Sequence, residues 1–145
     1  SIIRKRDGKI WIGTDRGIQQ FDDVSGSFES IYPDITLCKS LFQDSNGIVW
    51  CASNNTLYSI TEDGKLDKYY FGSKSVQSVM ETTDNEIWFA TSEGIAHYDK
   101  AKNDFVFYSL SDLSDPTNYA YSIVEDGIVL EKPLESCEPL YIKFE

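Results

Sequence analysis

Short runs of alternating apolar and polar residues, separated by turn residues, extend along nearly the whole chain. In the third quarter of the sequence these runs are Val76–Thr82, Glu86–Thr91, Ile95–Tyr98 and Phe105–Tyr108. Their apolar spacing and their wealth of β-branched and aromatic side chains do not suit an amphipathic helix. The pattern therefore predicts an all-β chain in which four short strands form one unit.

The same unit recurs along the sequence. Each copy places a turn dipeptide before an apolar strand with a central tryptophan, and the tryptophans are Trp11, Trp50 and Trp88. They lie 39 and then 38 residues apart, and a fixed period of about 20–50 residues is typical of solenoids and propellers. Bulky residues on both faces of each predicted sheet require cover from neighbouring sheets, as in a β-propeller. A continuous antiparallel sandwich is the alternative, although it would not require such regular repetition.

We predict a β-propeller fragment of three four-stranded blades plus a partial, irregular fourth. The predicted repeats are residues 1–34, 35–74, 75–113 and 114–145. The fourth begins in register with the others, but residues 127–133 replace the strand that carries tryptophan elsewhere. The alternating tail 139–145 then predicts one more strand, so this blade is expected to have three.

The first turn of each unit predicts a register. The turn dipeptides are Asp7-Gly8, Asn46-Gly47 and Asp84-Asn85, all of which suit a two-residue hairpin turn. Such a turn places Phe42 opposite Cys51, and it places each tryptophan opposite a polar residue: Arg4, Gln43 or Glu81. Cys38 would then lie about 13 Å along the strand from Cys51. This register excludes a disulfide between the two.

Composition narrows the class of protein. The chain has 145 residues, of which 41% are hydrophobic and 14% aromatic, so it can bury a core. A formal charge of −11 argues against nucleic-acid binding. No apolar run reaches the roughly 18–20 residues that would span a bilayer, and no spacing resembles a metal or cofactor site. Because the sequence starts at Ser1, we interpret it as an excised or processed piece that lacks its own targeting signal.

The repeated motif resembles the two-component regulator propeller repeat. The motif is a turn, Ile-Trp-Ile-Gly-Thr, a Gly-Ile pair and an aromatic-Asp pair. Residues 7–22 fit it closely, residues 84–99 fit with Asn85 in place of glycine, and the middle copy departs most, at residues 51–53. The resemblance covers about residues 2–126.

The resemblance implies the extracytoplasmic sensor region of a hybrid two-component system, which detects oligosaccharides and relays to a histidine kinase. We therefore expect a non-enzymatic propeller fragment that recognises an oligosaccharide and makes no membrane contact itself. A protein–protein interaction scaffold with the same fold is the alternative. A propeller lyase or hydrolase would need several acid–base groups on one rim, yet His97 is the only histidine. We interpret His97 as a half-exposed strand residue.

Binding in a propeller is expected on the loops of one rim. If the first strand of each blade is the innermost, the candidate ligand-binding residues are Asp15, Arg16, Asn54, Asn55, Glu93 and Tyr119. The longest connecting segment, Ser109–Asn118, belongs to the same rim. The tryptophans recur at one position in every blade, which indicates packing between blades and not sugar stacking.

Counting blades predicts self-association. Three complete units and a partial one are about half of a large closed propeller. An open arc would expose the apolar face of its first blade, for which we predict Ile10, Ile12 and Ile18. A two-fold dimer that completes the ring is the expected assembly. A closed four-bladed monomer, with residues 127–145 supplying the remaining strands, is the alternative.

Overall fold

The computed structural model describes residues 1–109, 119–124, 127–131 and 140–143, and every regular element among them is a β-strand. The first sheet contains β1 (Ile2–Arg4), β2 (Ile10–Thr14), β3 (Gly17–Asp22) and β4 (Ser27–Tyr32). The second contains β5 (Cys38–Gln43), β6 (Val49–Ser53), β7 (Thr56–Ile60) and β8 (Leu66–Tyr70). The third contains β9 (Val76–Glu81), β10 (Ile87–Thr91), β11 (Gly94–Asp99) and β12 (Asp104–Ser109). The fourth contains β13 (Tyr119–Val124), β14 (Gly127–Glu131) and β15 (Leu140–Lys143).

Each sheet is an antiparallel meander, and the sheets stack radially. Within every sheet the strands are hydrogen-bonded in sequence order. Strand β5 packs against β1 and β2, β9 against β5 and β6, and β13 against β9 and β10, so the first strand of each sheet is the innermost. The sheets are therefore the blades of a β-propeller, with a fourth blade of three strands in the described part of the chain, as the sequence predicts. None of the described residues forms a helix long and apolar enough to cross a membrane.

The apolar core lies between consecutive blades. The cluster between blades 1 and 2 comprises Trp11, Ile18, Ile35, Cys38, Leu41, Val49, Cys51 and Ile60. The cluster between blades 2 and 3 comprises Trp50, Ala52, Leu57, Phe71, Val76, Val79, Ile87, Phe89 and Ala96. Each fully buried large side chain contributes about 1.5–3 kcal/mol relative to an exposed one. Packing between blades therefore supplies much of the stability of the fold.

The predicted two-residue hairpin turns are wrong by one residue. In the second blade Asp44 N donates to Ile48 O (2.9 Å) and Gly47 N donates to Asp44 O (3.0 Å), which defines a three-residue loop. Gly47 has φ 85°, and Gly8 and Asn85 are also left-handed, at 85° and 64°. The left-handed residue is thus the third of a three-residue loop, in a type I turn followed by a bulge, and not the second of a two-residue loop.

This shift changes the partner of every residue in the first hairpin of each blade. The cross-strand pairs are Ile3–Trp11, Phe42–Trp50 and Met80–Trp88. The tryptophans therefore pair with apolar residues, and the predicted polar partners Arg4, Gln43 and Glu81 pair with Ile10, Val49 and Ile87 instead. Both loop lengths satisfy the local turn preferences, so the sequence pattern alone does not distinguish between them.

The exclusion of a Cys38–Cys51 disulfide is wrong for the same reason. Cys51 pairs with Leu41, and a bulge lies between Cys38 and Ser40. The register shift and the bulge together bring the two cysteine Cα atoms within 6.3 Å, inside the range of about 4.4–6.8 Å that disulfides span. A disulfide joins the two residues. Cys137, the third cysteine, lies outside the described residues.

The second turn of the blade requires glycine where the sequence predicts a positive φ. Gly17 has φ 111° and Gly94 has φ 144°. A Cβ atom at either position would overlap a backbone carbonyl oxygen of the adjacent outer strand. The middle blade has Thr56 there, and Asn54, two residues earlier, takes the left-handed conformation with φ 47°, as predicted.

One residue of the predicted exposed face of blade 1 is buried. Ile18 pairs with Gly13 and packs in the core between blades 1 and 2. Cross-strand partners share a face, so Ile18 lies on the same side of the sheet as Gly13 and Trp11. Ile10 and Ile12 lie on the opposite face, where both are half-exposed.

Candidate ligand-binding site

The turns between the second and third strands lie on one rim with the segments that connect the blades. Each of these turns shares a backbone hydrogen bond with such a segment or with the strand that follows it: Leu37 N donates to Asp15 O (3.2 Å), Val76 N to Asn54 O (2.6 Å) and Ser92 N to Ser75 O (2.9 Å). The antiparallel meander causes this arrangement, because the second strand ends where the first strand begins. The rim that the sequence predicts is therefore present.

Two of the predicted binding residues hold the connecting segment 71–75 in place. The carbonyl of Asn55 accepts a hydrogen bond from Phe71 N (2.8 Å), and its side-chain Nδ2 donates to Gly72 O (2.9 Å). The Asn54 carbonyl accepts from Val76 N. The Asn55 side chain thus satisfies a backbone carbonyl that the connection between blades would otherwise leave unpaired.

Glu93 contacts the same segment from the third blade. Its carboxylate accepts a hydrogen bond from Ser73 Oγ (2.8 Å) and forms an ion pair with Lys74 Nζ (3.2 Å). The Ser73 hydrogen bond, followed by the interaction with Lys74, lowers the pKa of Glu93 below its ordinary value. The carboxylate is therefore ionised at neutral pH.

A surface pocket of about 240 Å³ opens beside Glu93. Its lining includes Lys74, Thr91, Glu93, Ile95, Phe107 and Tyr108. Phe107 is 44% exposed and Tyr108 is 49% exposed, and Lys74 Nζ lies 5.5 Å from the centroid of the Phe107 ring. The pocket is smaller than the roughly 300–1,000 Å³ of sites that enclose a drug-sized ligand. It suits one unit of a larger ligand that has both apolar surface and hydrogen-bonding groups.

The structure brings some predicted site residues together and separates others. Asn55 and Glu93 both contact the segment 72–74. Glu93 is the member of the predicted set that lines the pocket among the described residues. Asp15 and Arg16 are exposed on the first blade, where the Asp15 carbonyl contacts Leu37 in the connection to blade 2. Tyr119 is the first residue of β13.

Sequence reasoning missed Lys74, Phe107 and Tyr108. The available signal was the unbroken run of four large apolar residues at 105–108 in an outermost strand. The corresponding strands β4 and β8 carry charged residues. Most of the segment Ser109–Asn118, which the sequence assigns to this rim, lies outside the described residues.

His97 lies away from the pocket. Its Nε2 atom is 2.5 Å from Glu86 Oε2, and its ring centroid is 4.5 Å from that of Trp88. It is half-buried in the middle of β11, as predicted for a strand residue. In the part of the chain that the structure describes, no group of His, Cys, Asp and Glu side chains could hold a metal ion.

No protein-family model matches this chain, and no curated protein does. Solved structures do match it. The extracellular domain of the putative hybrid two component system BT4673 from B. thetaiotaomicron has a TM-score of 0.75 and 21% identity, over 90% of this chain and 20% of that one. The extracellular domain of the putative hybrid two component system BT3049 from B. thetaiotaomicron has a TM-score of 0.66 and 21% identity, over 90% of this chain and 18% of that one. The chain has the fold of these domains.

An enzyme has a similar fold. A streptogramin B lyase structure matches with a TM-score of 0.71 and 19% identity, over 90% of this chain and 46% of the lyase. The chain thus spans about a fifth of the sensor domains and about half of the lyase. The extracellular domains belong to the class of protein that the repeat motif resembles, so sequence motif and three-dimensional similarity agree. One fold can support unrelated functions, and the site must decide between them.

Proposed function

We propose that this chain is a ligand-recognition piece of an extracytoplasmic sensor, that it binds an oligosaccharide at the rim pocket beside Glu93, and that it is not an enzyme. The observation that carries the proposal is the exposed aromatic ring of Phe107 beside an ion pair in one rim pocket. The similar extracellular domains of two-component systems support the sensor role and the location.

The pocket chemistry suits a polyhydroxylated ring. Phe107 offers apolar surface against which the C–H face of a sugar can pack. Glu93 accepts hydrogen bonds from hydroxyl groups and Lys74 donates them, and charge-assisted hydrogen bonds of this kind are stronger than neutral ones. Their mutual ion pair, together with Ser73, holds both groups in position before a ligand arrives. A preorganised site of this kind reduces the entropy lost on binding.

Two other functions are less well supported. The similar lyases favour an enzyme, but an ionised Glu93 is not a general acid, and His97 pairs with Glu86 on the face of the sheet. An interaction scaffold is favoured by the exposed Val106, Phe107 and Tyr108 on the edge strand β12. That alternative does not account for the ion pair beside them.

Calorimetric titration with a panel of oligosaccharides tests the proposal. Phe107→Ala should weaken the binding of a recognised oligosaccharide about tenfold, which corresponds to about 1.4 kcal/mol. Tyr70→Ala is the matched control, because Tyr70 is an even more exposed aromatic residue on the outer strand of blade 2, outside the pocket. Equal effects of both substitutions would place the ligand elsewhere. Release of reducing ends by the pure protein would refute the non-enzymatic function.

A further inference from the structure

The innermost strands of consecutive blades share a β-bulge close to the candidate rim. In β5 the register shifts between Cys38 and Ser40, which leaves Lys39 without a partner on β6. In β9 the register skips Gln77 in the same way, and β13 repeats the bulge at residue 121. Bulges often lie next to active sites, where they re-aim a side chain. The recurrence therefore points to a function for the residues that the bulges set apart.

The bulged side chains of blades 2 and 3 converge on Ser75. Lys39 Nζ donates to Ser75 Oγ (3.0 Å), and Gln77 Nε2 donates to the same oxygen (3.1 Å). Lys39 is exposed, and the other two residues are half-buried. Lys39 and Gln77 are the second residues of β5 and β9. The repeat thus places an ammonium group and an amide group side by side at the inner end of the rim.

These three residues, which we call the donor cluster, have hydrogen atoms left to donate. The Lys39 ammonium has three N–H groups and the Gln77 amide has two, and each uses one of them on Ser75. The Ser75 hydroxyl accepts both bonds with its two lone pairs, so its own O–H group is available as a further donor. Several convergent donors, one of them charged, suit an anion.

The charge of Lys39 is not offset by a carboxylate in the part of the chain that the structure describes. The ion pairs there involve Lys5, Lys65, Lys74, His97 and Lys102. This contrasts with the adjoining pocket, where the ammonium of Lys74 is paired with Glu93. The pocket is therefore close to neutral, whereas the donor cluster carries a positive charge.

The donor cluster adjoins the pocket. Ser75 N donates to Ser92 Oγ (2.9 Å), and Ser92 N donates to Ser75 O (2.9 Å). The pocket residues Lys74 and Glu93 are the neighbours of these two serines in the sequence. The pocket extends outwards to Phe107 on β12, and the donor cluster lies on the innermost strands. A ligand of several units on this rim can contact both.

We propose that the donor cluster binds an anionic group, a carboxylate or a sulfate, and that the oligosaccharide recognised at this rim is therefore acidic. The identity of the ligand rests on the proposed function, whereas the anion site itself does not. In this arrangement Phe107 packs against a sugar ring in the pocket, and Lys39 selects for charge on a neighbouring unit.

Calorimetry with matched pairs of probes tests the proposal. One pair is tetragalacturonate and its methyl ester, and the other is a sulfated galactose tetrasaccharide and its desulfated form. The acidic member of one pair should bind about tenfold more tightly than its neutral counterpart, as expected for a hydrogen bond to a charged group. The pair that shows the preference distinguishes a carboxylate from a sulfate.

Substitutions of Lys39 separate ligand binding from a purely structural contact between blades. Lys39→Gln should weaken the acidic probe about tenfold and leave the neutral probe unchanged. Lys39→Arg keeps the charge and should retain most of the preference. The matched control is Lys68→Gln, since Lys68 is an exposed lysine on the outer strand of the same blade, and this variant should bind as the wild type does. Thermal unfolding checks that each variant is folded.

Two results would overturn the inference while leaving the proposed function intact. One is equal or tighter binding of the neutral member in both pairs, and the other is an acidic preference that persists in Lys39→Gln.

If no oligosaccharide binds, the proposed function fails, and the anion site is decided separately. Galacturonate and methyl sulfate are then titrated while the nuclear magnetic resonance signal of the Gln77 side-chain amide is followed. A shift in the wild type that Lys39→Gln abolishes would support the anion site, and the absence of any shift would refute it.

Discussion

Trp50 and Trp88 occupy the same position in consecutive blades but have different surroundings. Trp50 is 1% exposed, and its Nε1 donates a 2.9 Å hydrogen bond to Oδ2 of the buried Asp44. Trp88 is half-buried and stacks on His97 and Tyr108 of its own blade, with centroid distances of 4.5 and 5.8 Å. Position in the repeat therefore determines which face a tryptophan lies on, whereas the next blade determines how much of it is buried.

The residue that begins the first turn also differs between these two blades. Asp44 begins the first turn of blade 2, and Thr82 begins that of blade 3. The Asp44 carboxylate binds two turn amides and the Trp50 ring nitrogen. Thr82 Oγ1 accepts one hydrogen bond in its turn, from Glu86 N at 3.1 Å. The first turn beside Trp50 thus makes more stabilising hydrogen bonds than the one beside Trp88. Substitutions can test this difference.

The largest effect should come from Trp50. Trp50→Ala removes a fully buried ring and the hydrogen bond that the ring donates to Asp44 Oδ2, so the free energy of unfolding should fall by about 3–5 kcal/mol. Trp88→Ala should cost less than half as much, because part of that ring is already in water. Urea denaturation of both variants measures the difference. Equal losses would show that Trp88 is buried as an equivalent packing residue, as its repeat position alone predicts.

Asp44→Ala should have the next largest effect. The carboxylate accepts hydrogen bonds from Asn46 N (2.9 Å), Ile48 N (3.0 Å) and the Trp50 ring. Each hydrogen bond to a charged group contributes about 1.5–3 kcal/mol. Because these three share one side chain, their contributions do not add, and we expect a total loss of about 3 kcal/mol. Thr82→Ala is the control and should cost about 1 kcal/mol. A loss at Thr82 as large as that at Asp44 would contradict the comparison.

The disulfide makes a smaller contribution to the stability of blade 2. Cys38 and Cys51 enclose a short loop, with a sequence separation of 13, and a cross-link of this size stabilises a fold by about 2–4 kcal/mol, and often by less. Unfolded under non-reducing conditions, the chain should show one free thiol, from Cys137, and three after reduction. Reduction should lower the urea midpoint. Three free thiols in the untreated protein would exclude the disulfide.

The smallest effect concerns Tyr98, which packs edge-on against Trp50. Burial, followed by the nearby Tyr69, raises the pKa of Tyr98 to about 12. Because the folded pKa lies above the unfolded value of 10.0, the stability from this group is complete below pH 10 and is lost as the pH rises from 10 towards 12. Burial also raises the pKa of Tyr32, so ultraviolet difference titration should show more than one late-ionising tyrosine, and Tyr98→Phe should remove one of them.

Much of the fold follows from local pattern. Alternation of apolar residues predicts the strands, and the spacing of Trp11, Trp50 and Trp88 predicts the blades, because both signals depend on a few neighbouring residues. Asn54 in the left-handed conformation and the glycines at 17 and 94 were predictable for the same reason. The candidate site was predictable only in part: the rim and Glu93 follow from the repeat, whereas Lys74 and Phe107 do not.

Tertiary structure decided the features that depend on small displacements or on distant segments. Two-residue and three-residue turns use similar residues, so the register depended on the complete hairpin, and a shift of one residue with one bulge brought Cys38 to Cys51. The pocket combines a connecting segment, a turn and an outer strand that lie far apart in the sequence. Burial of Trp50 and partial exposure of Trp88 depend on the neighbouring blade, because a side chain loses water only when another surface covers it.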